Sequence, residues 1–110
     1  MSINEPKFET PETTEQKLLR LLKDKTLTAP ETLTAFNQWL SEQEKLVEQA
    51  DDYVLAQIEL NLKRARLYLS AGYIDEALAD FEDARCQAWN EQRDELYGEI
   101  MREMDGVEKA

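Results

Sequence analysis

The sequence predicts an all-α protein, a small bundle of four to five helices. Along most of the chain, apolar residues recur at three-, four- and seven-residue spacings, which align them on one side of a helix. With only three glycines and three prolines, few residues interrupt long helices. No alternating apolar run bounded by turn residues predicts a strand. The 110 residues are the length of one small domain, so we predict a single helical domain over 14–110.

Residues 1–13 are predicted to be a flexible N-terminal tail. They contain two prolines and almost no apolar side chains. They lack the basic start and apolar stretch of a secretory signal, and no apolar run in the chain is long enough to span a membrane. The single cysteine, Cys86, allows no internal disulfide and favours a reducing, cytoplasmic location. We expect its thiol to be partly buried and structural.

The first predicted helix follows Thr14 and has one leucine-rich face and one basic face. Its leucines are Leu18, Leu19, Leu21 and Leu22, and its basic residues are Lys17, Arg20, Lys23 and Lys25. The leucine face must be buried against another apolar surface. We favour packing within the same molecule, and the alternative is docking onto a second copy, which would give a homodimer through this basic helix.

The second predicted helix spans about residues 29–49. Thr28 and Glu31 have the spacing of a capping box, and Pro30 sits in the first turn, where its missing N–H costs little. The predicted apolar stripe consists of Leu33, Phe36, Trp39, Leu40, Leu46 and Val47.

The third predicted helix spans about residues 52–71 and is apolar on two sides, so we expect it to be central. Gly72 ends it, because glycine adopts the left-handed conformation without steric cost. A fourth helix follows at once. A further helix, or a bent continuation of the fourth, spans about residues 91–104.

Small and aromatic residues recur at helical spacing on both sides of Gly72. They are Ala65, Tyr68, Gly72, Ala77, Phe81 and Ala84. Over residues 58–91 this pattern resembles one tetratricopeptide repeat, a helical hairpin of about 34 residues. The resemblance implies an antiparallel hairpin whose helix axes approach closely over the alanines, followed by a C-terminal capping helix. Asn61 and Arg64 depart from the family pattern, which has a large aromatic residue and a leucine there.

Acidic residues outnumber basic ones by 24 to 13, giving a net charge of −11. Residues 71–110 contain twelve acids and four bases. This charge repels nucleic acid phosphates and anionic membrane surfaces, so we expect neither as a partner. The simplest interpretation of the charge is solubility.

The sequence contains none of the residue patterns that predict an enzyme. It has no histidine and no glycine-rich phosphate loop. Acidic pairs such as Asp51 and Asp52 are adjacent, and adjacent side chains point in different directions on a helix. We therefore expect no catalytic residue, metal site or cofactor.

Binding to another protein is the function that we predict. The tetratricopeptide resemblance implies that the first helix of the hairpin lines a groove for a peptide or helix of a partner. The residues that it places there are Glu59, Leu62, Lys63, Arg66 and Leu69. The chain would then be an adaptor or chaperone-like module. Lys63, Arg64 and Arg66 form a basic cluster. This basic cluster either takes part in binding or neutralises nearby acids such as Glu59 and Glu82.

Two other functions compete with this prediction. An acidic inhibitor that imitates nucleic acid would block a DNA-binding protein, with rows of carboxylates on its C-terminal helices and salt-sensitive affinity. A purely structural subunit of a larger assembly would expose a large apolar patch when isolated.

Overall fold

A computed structural model describes residues 11–109 of the protein. These residues form five helices: α1 (Thr14–Asp24), α2 (Pro30–Gln49), α3 (Tyr53–Ser70), α4 (Ile74–Asn90) and α5 (Asp94–Lys109). No strand occurs in this range, and the prediction of an all-α fold with four to five helices is confirmed. Of the helices described, none is both long enough and apolar enough to cross a membrane. Residues 1–10 of the predicted tail lie outside the described residues.

The chain divides into two compact units, one that ends at Trp39 and one that begins at Leu40. The boundary falls within α2, which is continuous across it. The single domain over residues 14–110 stays a prediction.

In the first unit, α1 begins with a capping box. The Gln16 backbone N–H donates to the Thr13 hydroxyl oxygen at 3.0 Å, and the Thr13 N–H donates to the Gln16 side-chain oxygen at 2.9 Å. These bonds satisfy N–H groups that a helix start otherwise leaves unpaired. The buried side chains of α1 are Leu18, Leu21 and Leu22. The leucine face is therefore buried in a single copy of the chain.

The start of α2 differs from the predicted capping box. The helix begins at Pro30, and the Leu33 N–H donates to the Ala29 carbonyl at 3.0 Å. Ala29 therefore occupies the capping position, and Thr28 lies one residue too early to cap this helix.

The buried face of α2 also differs from the predicted stripe. In the first unit it consists of Thr32, Ala35, Phe36 and Trp39, and Val47 is buried in the second unit. Leu33 is 48% exposed and Leu46 is 56% exposed, so neither belongs to the core. The buried positions follow the helical period from Thr32, a threonine that an apolar pattern does not select.

In the second unit, α3 and α4 form an antiparallel hairpin. Arg64 pairs with Asp80 near the connecting turn, and Asp52 pairs with Arg93 at the opposite end. The buried core of the hairpin consists of Ile58, Leu62, Ala65, Ala77, Phe81, Ala84, Ala88 and Ile100. Four of these are alanines with no exposed surface, which lets the helices pack closely.

The turn from α3 to α4 has the bonding of a Schellman motif, with Gly72 at φ +90°. The Gly72 N–H donates to the Leu69 carbonyl at 3.0 Å, and the Tyr73 N–H donates to the Tyr68 carbonyl at 2.9 Å. A β-carbon at Gly72 would meet no atom within 4 Å, so the requirement for glycine is conformational.

The turn from α4 to α5 repeats this bonding with Gln92 at φ 58°. The Gln92 N–H donates to the Trp89 carbonyl at 3.1 Å, and the Arg93 N–H donates to the Ala88 carbonyl at 2.8 Å. Helix α5 is therefore a separate helix and not a bent continuation of α4. It packs against α4, buries Ile100 and extends beyond the predicted end at Met104.

Candidate protein-binding surfaces

A groove of about 180 Å³ lies between the end of α2 and the first half of α3 in the second unit. We call it the α2–α3 groove. It is lined by Gln43, Leu46, Val47, Ala50, Ala56, Glu59, Leu60 and Lys63. Leu46 is 56% exposed, and Leu60 is half-buried. The Lys63 ammonium donates to the Gln43 side-chain oxygen at 3.2 Å. The groove therefore offers an apolar strip with one acidic and one basic side chain beside it.

The residues that the sequence predicted for partner binding do not share one surface. Lys63 and Glu59 line the α2–α3 groove. Leu62 is only 4% exposed and belongs to the hairpin core, so almost none of this side chain is available for the predicted contact with a partner. Leu69 is half-buried and packs against the same core. A helix that is apolar on two sides gives no sequence signal for which side its neighbour covers.

Arg66 connects α3 to α5. Its guanidinium donates two hydrogen bonds to the Glu103 carboxylate, at 2.8 and 2.9 Å. These bonds lower the pKa of Glu103 below the usual value for a glutamate, against the opposing effect of partial burial. A bidentate pair holds both side chains in one geometry. Arg66 is therefore engaged within the unit.

Arg64 forms a polar network inside the hairpin. Its guanidinium donates to the two Asp80 carboxylate oxygens at 2.8 and 2.9 Å and to the Asn61 side-chain oxygen at 3.4 Å. Asp80 is 7% exposed, and its hydrogen bonds with Arg64 raise the pKa of the guanidinium. Asn61 and Arg64 both depart from the tetratricopeptide pattern, and here they form one network. Asp80 had no signal in the sequence, because its partner lies sixteen residues away.

Of the two acids predicted to neutralise the basic cluster, Glu59 does act on it: the pKa of Arg66 is raised first by the hydrogen bonds to Glu103 and also by the charge of Glu59. Arg64 pairs with Asp80 and Arg66 with Glu103, whereas Glu82 pairs with Arg85 on its own helix. Among the described residues 71–109, four acidic side chains form ion pairs with described basic side chains: Asp80, Glu82, Glu103 and Asp105.

The two tryptophans have opposite environments. Trp39 is 1% exposed, donates its indole N–H to a Glu15 carboxylate oxygen at 3.3 Å, and meets Phe36 edge to face at a centroid distance of 6.1 Å. Trp89, in the last turn of α4, is 62% exposed. Trp39, which belongs to the predicted apolar stripe of α2, therefore lies in a core, and Trp89 lies at the surface.

Cys86 is exposed, which corrects the expectation of a partly buried thiol. The core positions of this part of α4 belong to Ala84 and Ala88, and Cys86 lies between them on the outer side. Its sulfur is 3.5 Å from a Glu82 carboxylate oxygen. In the described part of the chain, no group of three or more acidic or cysteine side chains is arranged to hold a metal ion.

Comparison of the chain with protein-family models, with curated proteins and with solved structures found no match. The tetratricopeptide-like character of the hairpin therefore stays a prediction based on its residues.

Proposed function

We propose that this protein is a non-enzymatic protein–protein interaction module that holds a peptide or helix of a partner in the α2–α3 groove. The observation that carries the proposal is the exposure of Leu46 beside Leu60 in a groove with polar side chains at its edge. A partner that inserts an apolar side chain would cover both leucines, and covering such surface is the main favourable term in most protein association.

The role of an adaptor or chaperone-like module, located in the cytoplasm, belongs to the same proposal. The tetratricopeptide-like geometry is supported by the buried alanines at the contact between α3 and α4 and by the positive φ of Gly72. The rigid hairpin would provide one wall of the groove. Glu59 and Lys63 would set the orientation of the bound segment through their opposite charges.

A photo-crosslinking amino acid tests the proposal directly. It replaces Leu46 in the full chain, and the matched control carries it in place of Leu33, which is exposed to a similar extent in the first unit. After irradiation in an extract of the source cells, we expect proteins trapped covalently from position 46 and not from position 33.

Salt distinguishes the alternative functions in the same experiment. An apolar groove should retain its partner when salt is raised. Salt screens interactions between exposed charges, but it does not weaken the burial of apolar surface. Equal trapping from both positions would contradict the proposed groove. Trapping of a DNA-binding protein that is lost steeply with salt would instead favour the acidic inhibitor.

A further inference from the structure

A second surface, distinct from the α2–α3 groove, lies where α4 ends and α5 begins. It consists of Arg85 and Trp89 on α4 and Tyr97 and Met101 on α5, and we call it the aromatic surface. The Trp89 and Tyr97 rings are 5.1 Å apart at an interplanar angle of 54°, and the Arg85 guanidinium lies 5.8 Å from the Tyr97 ring centre. Met101 follows Tyr97 by four residues, so it lies on the same side of α5.

The exposure of this surface is unusual for its residue types. Trp89 is 62% exposed and Met101 is 42% exposed, whereas Trp39 in the same chain is 1% exposed. Tryptophan and tyrosine are enriched among the residues that dominate binding energy at protein interfaces. Methionine adapts its shape to different apolar partners. A large aromatic side chain with an adaptable apolar neighbour therefore suits an interface.

Contacts within the unit hold the aromatic surface in place before any partner binds. Arg85 donates to a Glu82 carboxylate oxygen at 2.9 Å while it lies near the Tyr97 ring. Tyr97 in turn packs against the hairpin core, so Trp89 rests on a fixed neighbour. Side chains already ordered lose less conformational entropy on binding, which favours affinity.

The chain segment that contains the aromatic surface is acidic, and its net charge favours a basic partner. Residues 82–105 contain eight acids and three bases, a net charge of −5. Ion pairs hold three of these acids and two of the bases, so the five remaining acids still exceed the one remaining base. The pairs are Arg85 with Glu82, Arg66 with Glu103, Lys109 with Asp105 and Arg93 with Asp52. Lysine and arginine are attracted both by this field and by the face of an exposed indole ring. A second copy of the chain would bring the same negative charge, and repulsion disfavours it.

We propose that the aromatic surface binds a basic amphipathic segment of another protein. A large apolar side chain of that segment covers Trp89 and Met101, and its lysines or arginines are attracted by the net negative charge of residues 82–105. This proposal concerns a site separate from the α2–α3 groove and does not depend on the groove being occupied.

Two synthetic helical peptides test the proposal with the full chain. Both have leucines at positions i, i+3, i+4 and i+7; the other positions are lysine in one peptide and glutamate in the other. Fluorescence anisotropy gives the Kd of each. We expect the lysine peptide to bind, the glutamate peptide to bind at least about tenfold more weakly, and Trp89→Ala to weaken the lysine peptide by about tenfold or more.

A control separates the aromatic surface from general attraction between opposite charges. Leu33→Ala removes an exposed apolar side chain in the other unit, and we expect it to change the Kd by less than about twofold. Trp89→Ala and Leu33→Ala leave net charge unchanged, so non-specific attraction predicts equal Kd values for both. Equal values, tight binding of the glutamate peptide, no binding of the lysine peptide, or self-association that requires Trp89 would each overturn the proposal.

Discussion

The turn between α3 and α4 and the turn between α4 and α5 share a backbone conformation but not a sequence. Each places one residue at positive φ, Gly72 in the first turn and Gln92 in the second, and each closes with the same pair of hydrogen bonds. Glycine adopts this conformation freely, whereas a residue with a β-carbon pays about 1–2 kcal/mol. Helix packing on both sides of a turn can thus impose a conformation that the local sequence disfavours.

The second turn has interactions that offset this cost. Arg93, next to Gln92, donates hydrogen bonds of 2.8 and 2.9 Å to Asp52 at the start of α3. Trp89 contacts Tyr97 across the turn, and Ile100 anchors α5 in the core.

Overpacking the helix contact should destabilise the unit most. Ala84 is fully buried between the helices, and Ala84→Leu should lower the free energy of unfolding by about 2–3 kcal/mol, because the added atoms have no space. Urea denaturation measures the change. Ala79→Leu is the control on the exposed side of α4, where we expect little effect. Equal stability of wild type and Ala84→Leu would contradict close packing at this contact.

Placing a β-branched residue in the first turn should have the next largest effect. Gly72→Val should destabilise the chain by about 1–2 kcal/mol, since valine is strained at positive φ even without a steric clash. The control is Gly106→Val within α5, where valine has the higher helix propensity. Thermal unfolding followed by circular dichroism measures both. If Gly72→Val is as stable as wild type, the first turn accepts a residue with a β-carbon as readily as the second turn does.

Relieving the second turn should stabilise the protein by a smaller amount. Gln92→Gly removes the strain at φ 58°, and we expect a gain of about 0.5–1 kcal/mol after the entropy cost of glycine in the unfolded chain. Gln87→Gly is the control, because it makes the same replacement inside α4. There glycine should lower the free energy of unfolding by about 1 kcal/mol. A loss of stability in Gln92→Gly would mean that the glutamine side chain itself supports the turn.

Acid should weaken the pair that braces the second turn. The hydrogen bond from Arg93, followed by that from the Leu55 N–H, lowers the pKa of Asp52 below its usual value. A carboxylate with a lowered folded pKa stabilises the fold above the usual value of about 4, and the stabilisation is lost as pH falls through the lowered pKa.

The expected result is a smaller acid-induced fall in Tm for Arg93→Gln than for wild type between about pH 6 and pH 3. Arg102→Gln, which removes an exposed arginine of α5, is the charge-matched control and should follow the wild-type profile. If Tm depends on pH identically in all three proteins, the Asp52–Arg93 pair does not stabilise the second turn.

The sequence predicted those features that a single residue or a regular pattern specifies. The helices follow from apolar spacing, and the first turn follows from Gly72, because glycine marks positive φ. The second turn carried no such mark, so the sequence allowed either a separate helix or a bent continuation of α4. Its conformation depends on the contact of Arg93 with Asp52, which lies far away in sequence, and on the packing of α4 against α5.

Side-chain environments were less predictable than helices. Leu33 and Leu62 are both leucines at helical spacing, yet the first is exposed and the second is buried. Residue type gives the tendency to be buried, but the neighbouring helix decides which face is covered. The same limit applies to Trp89 and Arg64, whose environments depend on residues of another helix.

The outward position of Cys86 also has a practical value. It is the chain's only cysteine, it is exposed, and it lies three residues before Trp89 on the same helix. A dye coupled to this thiol would sit about one helical turn from the indole, at a single defined position. Labelled protein could thus report the arrival of any ligand at that end of α4 through a change in emission, with the tryptophan itself left intact.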